Sequence, residues 1–103
     1  MVVAALTGDY GKVRPMLVIQ PPEFLSFDSL IICPLTSNTA TEGAVRVRLE
    51  PTQENGLEQT SLIMIEKLGA IDRKRIRTII GTISEEQIAM VDERLALILG
   101  LAP

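Results

Sequence analysis

The segment Gly8-Asp9-Tyr10-Gly11-Lys12-Val13-Arg14-Pro15 sets two cations in a glycine-bearing loop that ends at a proline. Glycines let the backbone approach a ligand closely, and the planar guanidinium of Arg14 matches two phosphoryl oxygens at once. Lys12 and Arg14 are therefore candidates for holding a phosphate, although a hairpin loop with solvated charges would carry the same residues. A second segment, Pro34-Leu35-Thr36-Ser37-Asn38-Thr39, sets adjacent hydroxyls at the end of an apolar run. A core-backed strand fixes such hydroxyls where they can bond a phosphoryl oxygen or orient a reacting hydroxyl. The competing reading is a strand-end turn capped by Ser, Thr and Asn side chains. Glu66 is a candidate proton acceptor if its face lines a cleft, with a place on the rim beside Lys67 as the alternative. Arg46, Arg48 and the run Asp72-Arg73-Lys74-Arg75 are candidate contacts to a phosphate backbone, or simply a solvated face.

The chain has no histidine, so the usual neutral-pH proton shuttle and the commonest metal ligand are both missing. Cys33 is the only cysteine, which excludes an intramolecular disulfide and a thiolate metal cluster. Inside Leu30-Ile31-Ile32-Cys33 it reads as a small buried hydrophobe. Any catalysis must run on Arg, Lys, carboxylates, hydroxyls or Tyr10, and no cofactor is expected. A net charge of −3 argues against a broad, charge-driven nucleic-acid binder but leaves room for a small local basic site.

The elements that must position these residues belong to one domain spanning 1–103. Hydrophobic residues make up 47% of the chain and aromatic ones only 3%, so the core must be aliphatic. A core this rich leaves apolar surface that a second copy could cover, and a homodimer is expected. Strands are predicted at Val2–Leu6, at Met16–Ile19 opened by Pro15, and at the doubly buried run Leu30–Leu35. Further strands are predicted at Val45–Leu49, Ser61–Lys67 and Ile76–Ile83, and Asn55-Gly56 signals a turn. In Ser61–Lys67, Leu62, Met64 and Glu66 would share one face. Ser84 with Gln87 forms a capping box, Ile83 and Ile88 can staple it, and Gly100 stops the helix. Its apolar face is Ile88, Val91, Leu95 and Ile98. The architecture expected is mainly β, an antiparallel barrel-like domain with a C-terminal α-helix, since parallel pairing would need crossover helices. No stretch approaches the roughly 18 apolar residues of a membrane span, and Met1–Leu6 lacks the basic flank of a signal peptide. A cytoplasmic protein with no membrane contact is expected.

Taken in order, these features resemble the MazF/PemK family of toxin endoribonucleases from toxin–antitoxin systems. The resemblance runs over nearly the whole chain, through Gly11-Lys-Val-Arg-Pro15, Leu17-Val-Ile-Gln20, Pro34-Leu-Thr-Ser37, Asn55-Gly-Leu57, Glu66 to Asp72, Ile80-Gly81 and Leu99-Gly-Leu101. It implies a barrel of the SH3-like type shared by MazF and CcdB, acting as a homodimer that cuts single-stranded RNA without a metal and is neutralised by a cognate antitoxin. In such enzymes the ribose 2′-hydroxyl attacks the adjacent phosphate, leaving a cyclic phosphate and a 5′-hydroxyl. Carried over by position, Arg14 would stabilise the phosphorane or protonate the leaving oxygen, and Thr36 would hold the scissile phosphate with Ser37 beside it. Lys12, Glu66, Arg46 and Arg48 would be further substrate contacts.

Two departures bear on these expectations. Family members begin with a few more residues, so the first strand is expected to be short at its edge. Some members also carry an Arg/Asp pair where this chain has Met64 and Glu66, which leaves the proton acceptor unassigned. Two other functions fit the same architecture. One is a CcdB-like toxin that binds DNA gyrase and cleaves nothing; the other is an inactive homologue that binds an antitoxin. Arg14 with Thr36 favours the nuclease, because a pure binder needs neither. RNA sequence preference would be set by the loops around Thr7–Val13 and Pro51–Gln59.

Overall fold

The computed structural model describes residues 1–7 and 13–101, so Lys12 and the loop 8–12 lie outside the described residues. Seven strands and one helix follow one another as β1 (Val2–Thr7), β2 (Val13–Val18), β3 (Ser29–Thr36), β4 (Val47–Leu49), β5 (Ser61–Ile63), β6 (Gly69–Asp72), β7 (Ile76–Thr82) and α1 (Glu85–Ile98). The spatial order is β4-β5-β3-β2-β1-β7, with β6 added alongside β3, and every pairing is antiparallel. The result is the expected antiparallel half-barrel with a C-terminal helix.

Alternation along the central strands explains why both faces of the sheet are apolar. Val3, Leu17, Cys33 and Leu35 face one buried cluster, while Ala4, Leu6, Val18, Leu30 and Ile32 face the other. The first cluster is closed by α1 through Val91, with Ile88 and Leu95 packed against it. The second is flanked by Leu25, Ile71 and Ile76 rather than by α1. Its outer side is a hollow of about 350 Å³ lined by Val2, Val18, Leu25, Leu30, Arg73, Ile76 and Ile79, and Ile79 is 51% exposed.

The helix follows its local signals. Ser84 Oγ accepts from the Gln87 N–H at 3.1 Å and Gln87 Oε1 accepts from the Ser84 N–H at 2.8 Å, closing the capping box. Gly100, at φ +72°, ends it: Leu101 N–H reaches Ala96 O at 2.8 Å and Gly100 N–H reaches Leu97 O at 3.2 Å. This is a Schellman cap, which a residue with a Cβ would strain. Ile98, expected on the buried face, is 44% exposed instead.

Several boundaries are corrected. β1 is not a shortened edge: it runs six residues and pairs on both sides, with β2 and β7. β2 begins at Val13, ahead of Pro15, because Arg14 already pairs with Leu6. β4 begins at Val47, since Arg46 N–H is drawn into a turn onto Gly43 O at 3.3 Å. The strand expected over Ser61–Lys67 stops at Ile63 and continues as a 3-10 turn, Ile65–Lys67. Met64 N–H bonds Pro34 O at 2.9 Å and Lys67 N–H bonds Met64 O at 3.0 Å, which bends the chain away from the sheet. β6, unforeseen, pairs Gly69–Asp72 with Ser29–Ile32.

Candidate active site

β2 and β3 pair in register at Val18–Ile32, Leu17–Cys33 and Met16–Pro34. Two more steps of the same ladder would set Arg14 opposite Thr36. The ladder ends first: beyond Pro34, β3 leaves β2 and pairs with β5, Leu35 to Ile63 and Thr36 to Leu62. Arg14 stays with β1, opposite Leu6. The fork between these strands opens a groove of about 700 Å³, and Arg14, Thr36 and Ser37 all line it. Strand ends held by core packing place a side chain more firmly than a free loop does.

The hydroxyl of Thr36 is oriented. Its Oγ1 accepts from the Asn38 N–H at 3.1 Å, which leaves the hydroxyl proton to point at a ligand oxygen. Arg14 is exposed and makes no ion pair among the described residues, so its guanidinium is available to an anion.

The far wall comes from residues 56–59, and its position rests on Asn55. That side chain is fully buried. Its Oδ1 accepts from Thr52 N–H at 3.0 Å and Leu57 N–H at 2.9 Å, and its Nδ2 donates to Glu50 O at 2.8 Å. Next to it Gly56 sits at φ +67°, where an added Cβ would lie 2.1 Å from the Ile80 carbonyl oxygen. Only glycine fits both the dihedral and the approach. The wall is therefore clamped over β7, and Thr82 N–H to Glu54 O at 2.8 Å adds to the clamp. Beyond the anchor, Glu58 and Gln59 line the groove.

The turn Ile65–Lys67 divides two neighbours. Lys67 lines the groove, whereas Glu66 does not. Instead Arg46 donates to Glu66, Nη2 to Oε2 at 2.6 Å and Nε to Oε1 at 3.2 Å, and reaches Thr41 Oγ1 through Nη1 at 2.5 Å. That guanidinium holds the Glu66 carboxyl below the usual glutamate range, a poor setting for a proton acceptor. Arg48 is likewise off the groove, paired with Glu50 at 2.8 Å and Glu42 at 3.6 Å. Thus Arg14, Thr36 and Ser37 are brought together, while Arg46, Arg48 and Glu66 form a separate set. Cys33 is buried, and burial pushes its thiol up to about 11, with Glu66 adding to the rise; it stays a thiol and takes no part.

Sequence reasoning missed Lys67 and Glu58 as groove residues. For Glu58 the signal was the Asn55-Gly56 turn just before it; Lys67 carried none, because the bend after Ile63 turns on the Met64 N–H reaching Pro34 O.

A family described as PemK-like, MazF-like toxin of type II toxin–antitoxin system matches residues 1–99 of this chain. Over 100 residues the chain is 34% identical to "Probable endoribonuclease MazF" of Mycolicibacterium smegmatis, covering 96% of this chain and 92% of that relative. Its fold is similar to that of the Mycobacterium tuberculosis toxin MazF-mt6, with a TM-score of 0.85 at 18% identity over the whole of both chains. It is also similar to an endoribonuclease in complex with its cognate antitoxin from a mycobacterial species, with a TM-score of 0.79 at 16% identity over 99% of this chain and 94% of that one. At those identities the structural likeness speaks for the fold alone.

Proposed function

We propose that this chain, which belongs to the PemK-like, MazF-like toxin family of type II toxin–antitoxin systems, cuts single-stranded RNA in the groove between Arg14 and Thr36. Its class is that of a MazF-like endoribonuclease toxin; the residues and the chemical path are our reading. The ribose 2′-hydroxyl attacks the adjacent phosphorus, and the products are a cyclic phosphate and a 5′-hydroxyl. Thr36 donates its hydroxyl proton to a phosphoryl oxygen, and Ser37 lies beside it. Arg14 meets the charge that grows on the pentavalent phosphorane. Stabilising such charge with donors already in place is often the largest catalytic term. The reading needs no resident metal, and Lys12 is a further phosphate contact from the loop that leads into β2. Arg46, Arg48 and Glu66 carry no step.

The observation that supports this reading is the fork itself: two residues that a continuous ladder would set opposite each other instead line one open groove. A gyrase-binding toxin would have no use for an oriented hydroxyl lining the same groove as a guanidinium that makes no ion pair among the described residues. Purified protein is expected to cleave a long mixed-sequence RNA in the presence of EDTA and to leave 2′,3′-cyclic phosphate ends. Intact RNA together with inhibited gyrase would replace this reading with the CcdB-like one.

The chain works as one domain, 1–103, and as a homodimer. The second face of the sheet, with its open hollow and Ile79 exposed, is what a second copy would cover. Light scattering at micromolar protein should give about twice the 11.3 kDa of one chain. The antitoxin is the protein partner, as in the mycobacterial complex, and is expected to compete with RNA for the groove. No helix of the described residues is long and apolar enough to cross a membrane, and the cytoplasm is the proposed location.

A further inference from the structure

The groove carries three charged side chains, each from a different element: Arg14 from β2, Glu58 from the 56–59 wall and Lys67 from the turn after β5. Glu58 is its single carboxylate among the described residues. None of the three makes an ion pair among the described residues, whereas every cation and carboxylate in the neighbouring set at Arg46 and Arg48 does. We propose that Glu58 is the base that takes the proton of the attacking 2′-hydroxyl and that Lys67 is the acid that protonates the departing 5′-oxygen. This rests on the RNA-cleaving function proposed for the groove and supplies the two proton transfers it leaves open.

A catalytic base must be held where the substrate needs it. Glu58 follows Leu57, which is buried and whose N–H is bound by Asn55 Oδ1 at 2.9 Å. On its other side, Ser61 Oγ donates to Gln59 O at 3.0 Å. The residue is thus pinned on both sides, while its own side chain stays exposed to the groove. Lys67 is held just as closely. The Lys67 N–H bonds Met64 O at 3.0 Å, the next N–H, of Leu68, bonds Ile65 O at 3.1 Å, and Ile65 in the same turn is fully buried. Arg14 is the better electrostatic partner for the phosphorane and the worse proton donor, because a guanidinium stays protonated in proteins, whereas a lysine ammonium gives up its proton far more readily.

The protons balance. The bond from the 2′-oxygen to phosphorus forms as the hydroxyl proton passes to the Glu58 carboxylate. The bond from phosphorus to the 5′-oxygen breaks as that oxygen takes a proton from the Lys67 ammonium. The groove is left with a neutral carboxylic acid and a neutral amine, which return to their starting forms by one proton exchange through solvent.

Single-turnover cleavage of an RNA oligonucleotide containing a site mapped with the wild-type protein tests this. A matched oligonucleotide carries sulfur in place of the scissile 5′-oxygen, since a thiolate leaves without a proton. Glu58→Gln should slow cleavage of both by about 10²–10³-fold and remove the acid limb of the pH–rate profile. Lys67→Met should slow the oxygen substrate by about 10²-fold, yet cut the sulfur substrate at close to the wild-type rate. Glu66→Gln should leave both rates near wild type. Circular dichroism should show the native fold for each variant. The proposal is overturned if Glu58→Gln keeps the wild-type rate and acid limb, or if Lys67→Met is equally slow on both substrates. It is also overturned if Asp9→Asn shows the loss expected of Glu58→Gln while Glu58→Gln does not. Any of these results with a wild-type protein that still makes cyclic phosphate ends leaves the nuclease reading standing. A wild-type protein that leaves RNA intact overturns both.

Discussion

Two sets of charged side chains lie on either side of the turn Ile65–Lys67, and they are wired oppositely. On one side Arg46 grips Glu66 and Thr41, and Arg48 is shared between Glu42 and Glu50. On the other, Arg14, Glu58 and Lys67 face a groove without pairing to one another. Adjacent residues, Glu66 and Lys67, belong to different sets. Cations that have found carboxylates are satisfied and add rigidity; cations left facing a cavity hold a field in reserve for an incoming anion. The paired set therefore builds the scaffold, and the open set is the one our proposal puts to work.

The largest test of that division is Arg14→Ala. Removing a preorganised donor to developing charge should cost about 10²–10³-fold in cleavage rate with no change in melting temperature. Arg46→Gln should lower the melting temperature slightly and leave the rate within about threefold of wild type. A rate loss at Arg46 equal to that at Arg14 would erase the distinction. Thr36→Val comes next. It keeps the side chain's shape and removes one hydrogen bond to a charged oxygen, which is worth about 1.5–3 kcal/mol, so the rate should fall about ten- to a hundredfold.

Asn55→Ala sharpens the comparison from the scaffold side. It strips partners from the Thr52 and Leu57 N–H groups and from the Glu50 carbonyl, all at a fully buried position. A cost of about 1–3 kcal/mol is expected in denaturant unfolding. Because this anchor also carries Glu58 and Gln59, cleavage should fall beyond what the unfolded fraction explains. A variant destabilised but fully active per folded molecule would show that the wall does not matter to the groove.

What could be read in the chain itself follows from how far each signal reaches. The capping box at Ser84 and Gln87 and the stop at Gly100 act within four residues, and α1 has the expected ends. β3 was legible as an apolar run: Leu30 and Ile32 meet one core, Cys33 and Leu35 meet the other, and Ile31, expected buried, is exposed instead. The role of Glu66 was not legible, because it turns on the Met64 N–H reaching Pro34 O, thirty residues away in sequence. Continued alternation through Lys67 would have grouped Glu66 with Leu62 and Met64; the bend gives the groove to Lys67 instead. Asn55 reads locally as a turn residue, and nothing local reveals that it is fully buried and sets the far wall. The fork that joins Arg14 to Thr36 is likewise a matter of strand partners, which no single segment encodes.

The smallest expected effect is the pH response of the paired set, and its sign follows from the pairing. The Glu66 carboxyl is held below its ordinary value of 4.5, first by the hydrogen bonds from Arg46. A carboxyl whose folded value is depressed binds protons more readily in the unfolded chain. Its contribution to stability is thus complete above about pH 5, starts to fade as pH drops through the ordinary value, and is gone below the depressed one. Glu66→Gln has no such proton to lose. Melting temperatures of wild type and Glu66→Gln should therefore differ most near neutrality and converge on acidification toward pH 3. Because the pair is partly solvent-exposed, the gap should be small and should narrow further at high salt.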